Sequence, residues 1–145
     1  MKKRVVSMAL ALIFVSALLS GCGGGSGEAA YKDGTYTGYS SEDDRGAYGE
    51  AAITIEGGKI TDCRYVTWQQ DGTIKDENYG KVNGEISNQD YYDKAQLAVS
   101  AMAQYARELV EVQKPEDVDA VSGATVAYDQ FNEAVSDALN KAKGD

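Results

Sequence analysis

An α+β domain, in which a hairpin-rich antiparallel sheet packs against two helices, is the fold the sequence predicts. Strand-like segments lie together between residues 34 and 68, and two segments with helical period follow between 90 and 142. A single proline interrupts the chain. Strands grouped first and helices second imply a sheet covered on one side, not alternating parallel units.

The first strand is "GTYTGYS" (34–40), which alternates and is rich in Tyr and Thr. A polar loop, "SEDDRGAYGE" (41–50), follows. "AAITIEGGKITDCRYVTW" (51–68) reads as a hairpin with Gly57-Gly58 as its tight turn. Ile53 and Ile55 share a face of the first arm. On the second arm Ile60 and Cys63 are three apart, so both reach the core only across a β-bulge. Residues 69–90 are turn-rich, with one short strand expected near Ile74, and a loop of that length in a compact domain suggests function or disorder.

The first helix is expected from Asp90 to Val112, with Tyr92, Ala95, Val99, Met102, Ala106 and Leu109 as its apolar stripe. Asn88 or Asp90 serves as its cap, and Pro115 lies just beyond its end. The second helix is expected from Val126 to Ala142, burying Phe131, Val135, Ala138 and Leu139.

The N-terminus has a different character. "MKKR" precedes the apolar run "VVSMALALIFVSALL", and small residues lead to Cys22. This is the layout of a secretory signal, with an apolar run short for a membrane span. Leu19-Ser20-Gly21-Cys22 resembles the lipobox of bacterial lipoproteins. That resemblance implies cleavage after residue 21 and a lipidated Cys22, whose two acyl chains would anchor the chain stably. Residues 23–30, "GGGSGEAA", then form a flexible tether reaching roughly 16 Å, and residues 31–145 form the folded domain.

Composition removes several function classes. Loss of Lys2, Lys3 and Arg4 with the signal leaves 11 basic against 23 acidic residues, a net of −12. That balance disfavours nucleic acid and anionic head groups. The chain has no histidine, which excludes imidazole acid/base catalysis and His-ligated haem. With Cys22 lipidated, Cys63 has no disulfide partner and reads as a small buried side chain.

One motif remains. In "DAVSGAT" (119–125), Ser122 and Thr125 flank Gly123 and Ala124 just ahead of the second helix. A helix start presents unpaired N–H groups and the positive end of a dipole, which suits phosphate. Small residues let backbone approach a ligand, and either hydroxyl is able to bond or be esterified to phosphate. Ordinary helix capping by Ser or Thr is the competing reading, and spacing alone favours it.

Asp119-x-x-Ser122-Gly123-Ala124-Thr125 resembles the D-x-x-[S/T]-G-A-T signature of FMN-binding domains. Such domains occur in the flavin-carrying subunits of the sodium-pumping NADH:quinone oxidoreductase and the Rnf complex, and in small envelope lipoproteins. "YKDGTYTG", "AITIEGGKITD" and "FNEAVSDAL" resemble the family in the same order. The resemblance implies FMN joined through its phosphate to Thr125 by a separate flavin transferase of the ApbE type. Ser122, Gly123 and Ala124 would shape the phosphate loop, and Asp119 would belong to the transferase recognition sequence. Many members carry a "TPG" loop near the flavin ring, where this chain has "KDENYGK" (75–81). Asn78, Tyr79 and Gly80 are the equivalents expected here, with Tyr79 as a stacking face; a solvent-exposed turn is the alternative. Trp68 and Tyr128 are weaker candidates that also suit a core.

The resemblance implies a lipid-anchored, extracytoplasmic electron carrier between a membrane NADH-quinone system and an external acceptor. The acidic surface is expected to lower the potential of its flavin. A ligand-binding or surface-interaction lipoprotein without flavin is the alternative from another class. A flavin reductase is a third, weakened by the lack of a G-x-G-x-x-G fingerprint.

Overall fold

The computed structural model describes residues 31–144, so the signal, the lipobox-like Cys22 and the tether lie outside the described residues. Three strands, β1 (Gly34–Tyr39), β2 (Tyr48–Glu56) and β3 (Lys59–Trp68), precede helices α1 (Gln89–Val112) and α2 (Thr125–Lys143). A single turn of 3-10 helix, Pro115–Asp117, separates the helices. The sheet is antiparallel throughout, in the order β1-β2-β3. Both helices cover one of its faces, which is the two-layer α+β arrangement expected. None of the described helices is long and apolar enough to cross a membrane.

The β2–β3 turn is Gly57-Gly58, both with positive φ, +59° and +75°. That geometry matches the twist of the flanking strands and suits glycine at both positions. The bulge also forms: Thr54 pairs with Asp62 but Ile55 with Ile60, so Thr61 is extra on β3. The extra residue lets Ile60 turn inward although Cys63, Tyr65 and Thr67 already alternate toward the helices. Cys63 is half-buried, and burial with the neighbouring Asp62 pushes its thiol up to about 12. It is therefore neutral and unreactive at pH 7.

The core joins Ile53, Ile55 and Ile60 of the sheet to Leu109 of α1 and Phe131 and Val135 of α2. Tyr105, outside the expected stripe of α1, is fully buried with its ring against Tyr128 and Phe131. Gln130 is likewise buried on α2, donating to the Ala47 carbonyl at 2.7 Å. Helix α2 lies so close to β1 that a Cβ on Gly38 would overlap the Ala134 carbonyl and Ala138 amide. Helix side chains also occupy both sheet edges. Asp137 accepts from the Tyr39 N–H and Lys141 donates to the Thr37 carbonyl, while Gln113 pairs with both backbone groups of Ile60.

The chain from 69 to 88 forms no helix or extended strand and is held by contacts to β3 and α1. The strand expected near Ile74 is a single bridge between Trp68 and Ile74. Gly72, with φ +81°, turns the chain, and the Lys75 N–H then donates to Thr67 at the end of β3. Helix α1 holds the next stretch. The Gln96 amide donates to the carbonyls of Asp76 and Tyr79, and the Tyr92 hydroxyl to that of Glu77.

Candidate functional site

At the start of α2, the loop from β1 to β2 and the loop after β3 converge on a cleft of about 440 Å³. Asp43, Asp44 and Arg45 form one wall, Lys75 and Tyr79 another, and Gly123, Ala124 and Thr125 a third; Thr67, Ala98 and Met102 are also exposed to it. Its volume lies in the range of small-molecule sites. A smaller hollow of about 290 Å³ shares Arg45, Lys75 and Tyr79 and extends the cleft past Gln69, Gln70 and Tyr91.

Each wall is fixed by its own chain. Asp43 turns its carboxylate back onto the N–H groups of Arg45 and Ala47, 2.9 and 3.0 Å away, which closes a compact loop. The motif wall hangs from two tyrosines of the buried aromatic cluster. The Tyr105 hydroxyl accepts from the Val121 N–H at 3.0 Å, and the Tyr128 hydroxyl donates to the Val118 carbonyl at 2.9 Å. A turn, Ala124 N–H to Val121 carbonyl at 3.0 Å, then delivers the chain into α2. Gly123 makes that turn with φ +87°, a conformation that favours glycine, and lies against Leu97.

The capping reading of the motif does not hold. Ala124 occupies the N-cap of α2 and no side chain caps the helix. Thr125 is the first helical residue, exposed, and lines the cleft. The opening amides of a helix have no intrahelical partners, so the end of α2 facing the cleft offers N–H donors and positive potential. Ser122 is exposed just outside the cleft lining.

The other expected residues divide. Tyr79 reaches the cleft, half-buried, with the Lys75 ammonium 5.1 Å from its ring centre. Burial, and next the hydroxyl contact with Tyr91, push its phenol pKa up, so it stays neutral at pH 7. Asn78 is exposed, its side-chain carbonyl accepting from Lys81, and Gly80 packs the loop onto Ala95 and Tyr92 of α1. Both support Tyr79 from behind and do not line the cleft. Asp119 is also outside it, its N–H donating to Glu108 at 2.9 Å. Trp68 points to the open face of the sheet, where its indole donates to Glu50, because alternation puts Thr67 on the cleft side. Tyr128 is part of the scaffold that carries the motif.

Arg45 and Lys75 are cleft residues that the sequence did not single out. Both stand in turn-rich, mixed-charge stretches where a cation reads as solvated surface. Burial lowers the pKa of Lys75; Asp43 opposes this, and Arg45, more weakly, adds to it. Neither head group makes a hydrogen bond or an ion pair among the described residues, whereas the Asp43 and Asp71 carboxylates are bound to neighbouring amides. Helix amides, two unpaired cations and an aromatic face fit a ligand with an anionic group and a planar ring.

Comparison with known proteins agrees with this chemistry. The sequence pattern of the FMN-binding domain matches residues 46–140, well over half of the chain. The match begins after β1, so the likeness of "YKDGTYTG" lies outside it. The crystal structure of the CPE2226 protein from Clostridium perfringens is similar, with 25% sequence identity over 78% of this chain and 89% of that one, at a TM-score of 0.62. A Clostridium thermocellum protein solved by NMR is 26% identical over 74% of this chain and 92% of that one, but its TM-score of 0.39 carries no weight for the fold. No curated protein matches. The chain therefore belongs to the FMN-binding domain family.

Proposed function

We propose that this protein carries FMN as a phosphoester on Thr125 and serves as an electron carrier, lipid-anchored through Cys22 on the outer side of the bacterial cell membrane. The observation that carries the proposal is the uncapped start of α2, with the exposed Thr125 lining a cleft of about 440 Å³. The hydroxyl is accessible to a flavin transferase, and the amides behind it suit a phosphate. Arg45, Lys75 and Tyr79 would hold the remainder of the cofactor. Bound there, FMN supplies reversible one- and two-electron chemistry, while the protein supplies tether, orientation and electrostatics.

A covalent link suits a protein outside the membrane, because a dissociable flavin would be lost by dilution. The donor is then a membrane NADH-quinone system and the acceptor an external one. No nucleotide-binding fingerprint supports a turnover of NADH by the domain alone.

Intact mass of the mature domain, co-expressed with a flavin transferase, tests the proposal. The expected result is a gain of one FMN less one water in the wild type and no gain in Thr125→Val. No gain in the wild type with an active transferase would overturn the covalent carrier and return the protein to the ligand-binding lipoprotein reading.

A further inference from the structure

Lys75 is the group in the cleft whose surroundings most lack an explanation. Its N–H is fixed to Thr67 at the end of β3, so the backbone under it cannot drift. Its side chain is half-buried, with the ammonium over the Tyr79 ring, in the wall shared by both lobes of the cleft. Among the described residues the charged and titratable groups lining the cleft with it are Asp43, Asp44 and Arg45 from the β1–β2 loop, Asp71 and Tyr79 from its own loop, and Tyr91 from α1. Asp43 bonds its carboxylate to backbone amides, and Arg45 adds a second positive charge. Asp43 offsets part of the cost of desolvating this cation and Arg45 adds to it, so a further negative charge in the cleft would be favoured.

Resting on the proposal that FMN occupies this cleft, we infer that Lys75, with Arg45 beside it, is the counter-charge for the reduced flavin ring. Two-electron reduction by a quinol-type donor sends both electrons and one proton into the ring, the proton going to N5. The donor leaves as the quinone, with its second proton released to solvent. The negative charge left on the reduced ring is the one that Lys75 would neutralise. The phosphate has its own partners in the opening amides of α2, so the lysine is not required there.

The local balance therefore differs from the global one: Asp43 and Asp44 stand against Arg45 and Lys75 in the cleft. The whole domain is strongly acidic, which alone would lower the flavin potential, but surface charges beyond about 8–10 Å are screened at physiological salt. Within the cleft the two cations offset its two carboxylates. The potential is set higher than the net charge implies, and reduction takes up one proton per two electrons.

Spectroelectrochemical titration of the flavinylated protein from pH 6 to 8 tests this, with Lys75→Gln, Lys75→Arg and Arg45→Gln beside the wild type. Lys75→Gln is expected to disfavour reduction at least tenfold, about 30 mV for a two-electron couple, and to raise uptake to two protons. Lys75→Arg should retain the wild-type values, and Arg45→Gln should shift by less than Lys75→Gln. Equal potentials in wild type and Lys75→Gln would overturn the inference, as would uptake of two protons by the wild type, which needs no variant at all. A Lys75→Gln protein that loads less flavin but keeps its potential would make the lysine a phosphate ligand, and the inference would fall. Absence of covalent flavin in the wild type is a separate result that removes the carrier proposal itself.

Discussion

The two helices begin in opposite ways. Asn88 closes α1, its side-chain oxygen accepting from the Tyr91 N–H at 3.0 Å, and Asp90 in the first turn complements the dipole. Helix α2 has Ala124 at the equivalent place, no side-chain cap, and no acid in its first turn. The difference is not a shortage of acids in a chain with 23 of them. The free end of α2 is turned toward the cleft, and a cap or a carboxylate there would compete with an incoming phosphate. Helix α1 is finished as a structural element; α2 is left for a ligand to finish.

If that contrast is right, the two starts respond differently to substitution. The largest effect is expected where the open end is held up from below. Tyr105→Phe removes the acceptor of the Val121 N–H from a fully buried ring and should cost about 1–3 kcal/mol in urea unfolding. It should also lower flavin loading, since the motif turn loses its support. Unchanged stability would mean that water or another group takes over that N–H. Next in size, Asn88→Ala should cost about 1 kcal/mol and lower flavin loading less than Tyr105→Phe, because its partner Tyr91 lines only the outer extension of the cleft and not the motif wall. Loss of flavin in Asn88→Ala as large as in Tyr105→Phe would erase the distinction between the two starts.

Much of this contrast could be read from the sequence, though not the part that matters most. The hairpin was legible because Gly57-Gly58 sits between β-rich arms, and the bulge because Ile60 and Cys63 are out of phase. Helix α1 was legible to within one residue, since Asn88 precedes a regular stripe. The motif was legible as a resemblance, and the family match supports it. Capping was favoured on spacing, yet the helix begins one residue earlier than expected, at Thr125, which moves the N-cap onto Ala124. A one-residue shift decides between cap and ligand site, and boundary residues are where sequence patterns are least sharp. Tyr105 was missed because the stripe was followed from Met102 to Ala106, and its ring buries while its hydroxyl serves the backbone. Arg45 and Lys75 were missed for a different reason: 30 residues and a whole hairpin separate them, and only the fold brings them to one cleft.

The rest of α2 offers a smaller test, by pH. Glu133 accepts from the Ser41 hydroxyl and N–H, and Asp137 from Lys141 and the Tyr39 N–H; these bonds hold both carboxyls below their usual range. A folded pKa below the unfolded one adds stability that is complete above the unfolded value and is lost as pH falls through the folded value. Stability should therefore decline below about pH 4.5, where free carboxylates begin to protonate. Both groups lie near the surface, so the effect is modest and weakens with salt. Glu133→Gln should flatten the acid limb of a Tm-against-pH curve without changing Tm dependence between pH 6 and 8. An unaltered acid limb would show that the β1–α2 seam is held by packing at Gly38 and not by these bonds.

The smallest expected effect on stability sharpens the comparison furthest. Ser122→Ala and Thr125→Val remove the two hydroxyls that would have capped α2, had it been capped as α1 is. Both side chains are exposed and neither hydroxyl makes a hydrogen bond among the described residues. Each substitution should move unfolding free energy by no more than about 0.5 kcal/mol, against about 1 kcal/mol for Asn88→Ala. A loss in Thr125→Val as large as that of Asn88→Ala would mean that the hydroxyl caps in solution, and α2 would then begin like α1. With stability intact and the covalent flavin gone, the hydroxyl is a group that folding does not use. A polar side chain left unused at an open helix end, beside two unpaired cations, is positioned for chemistry supplied from outside the chain.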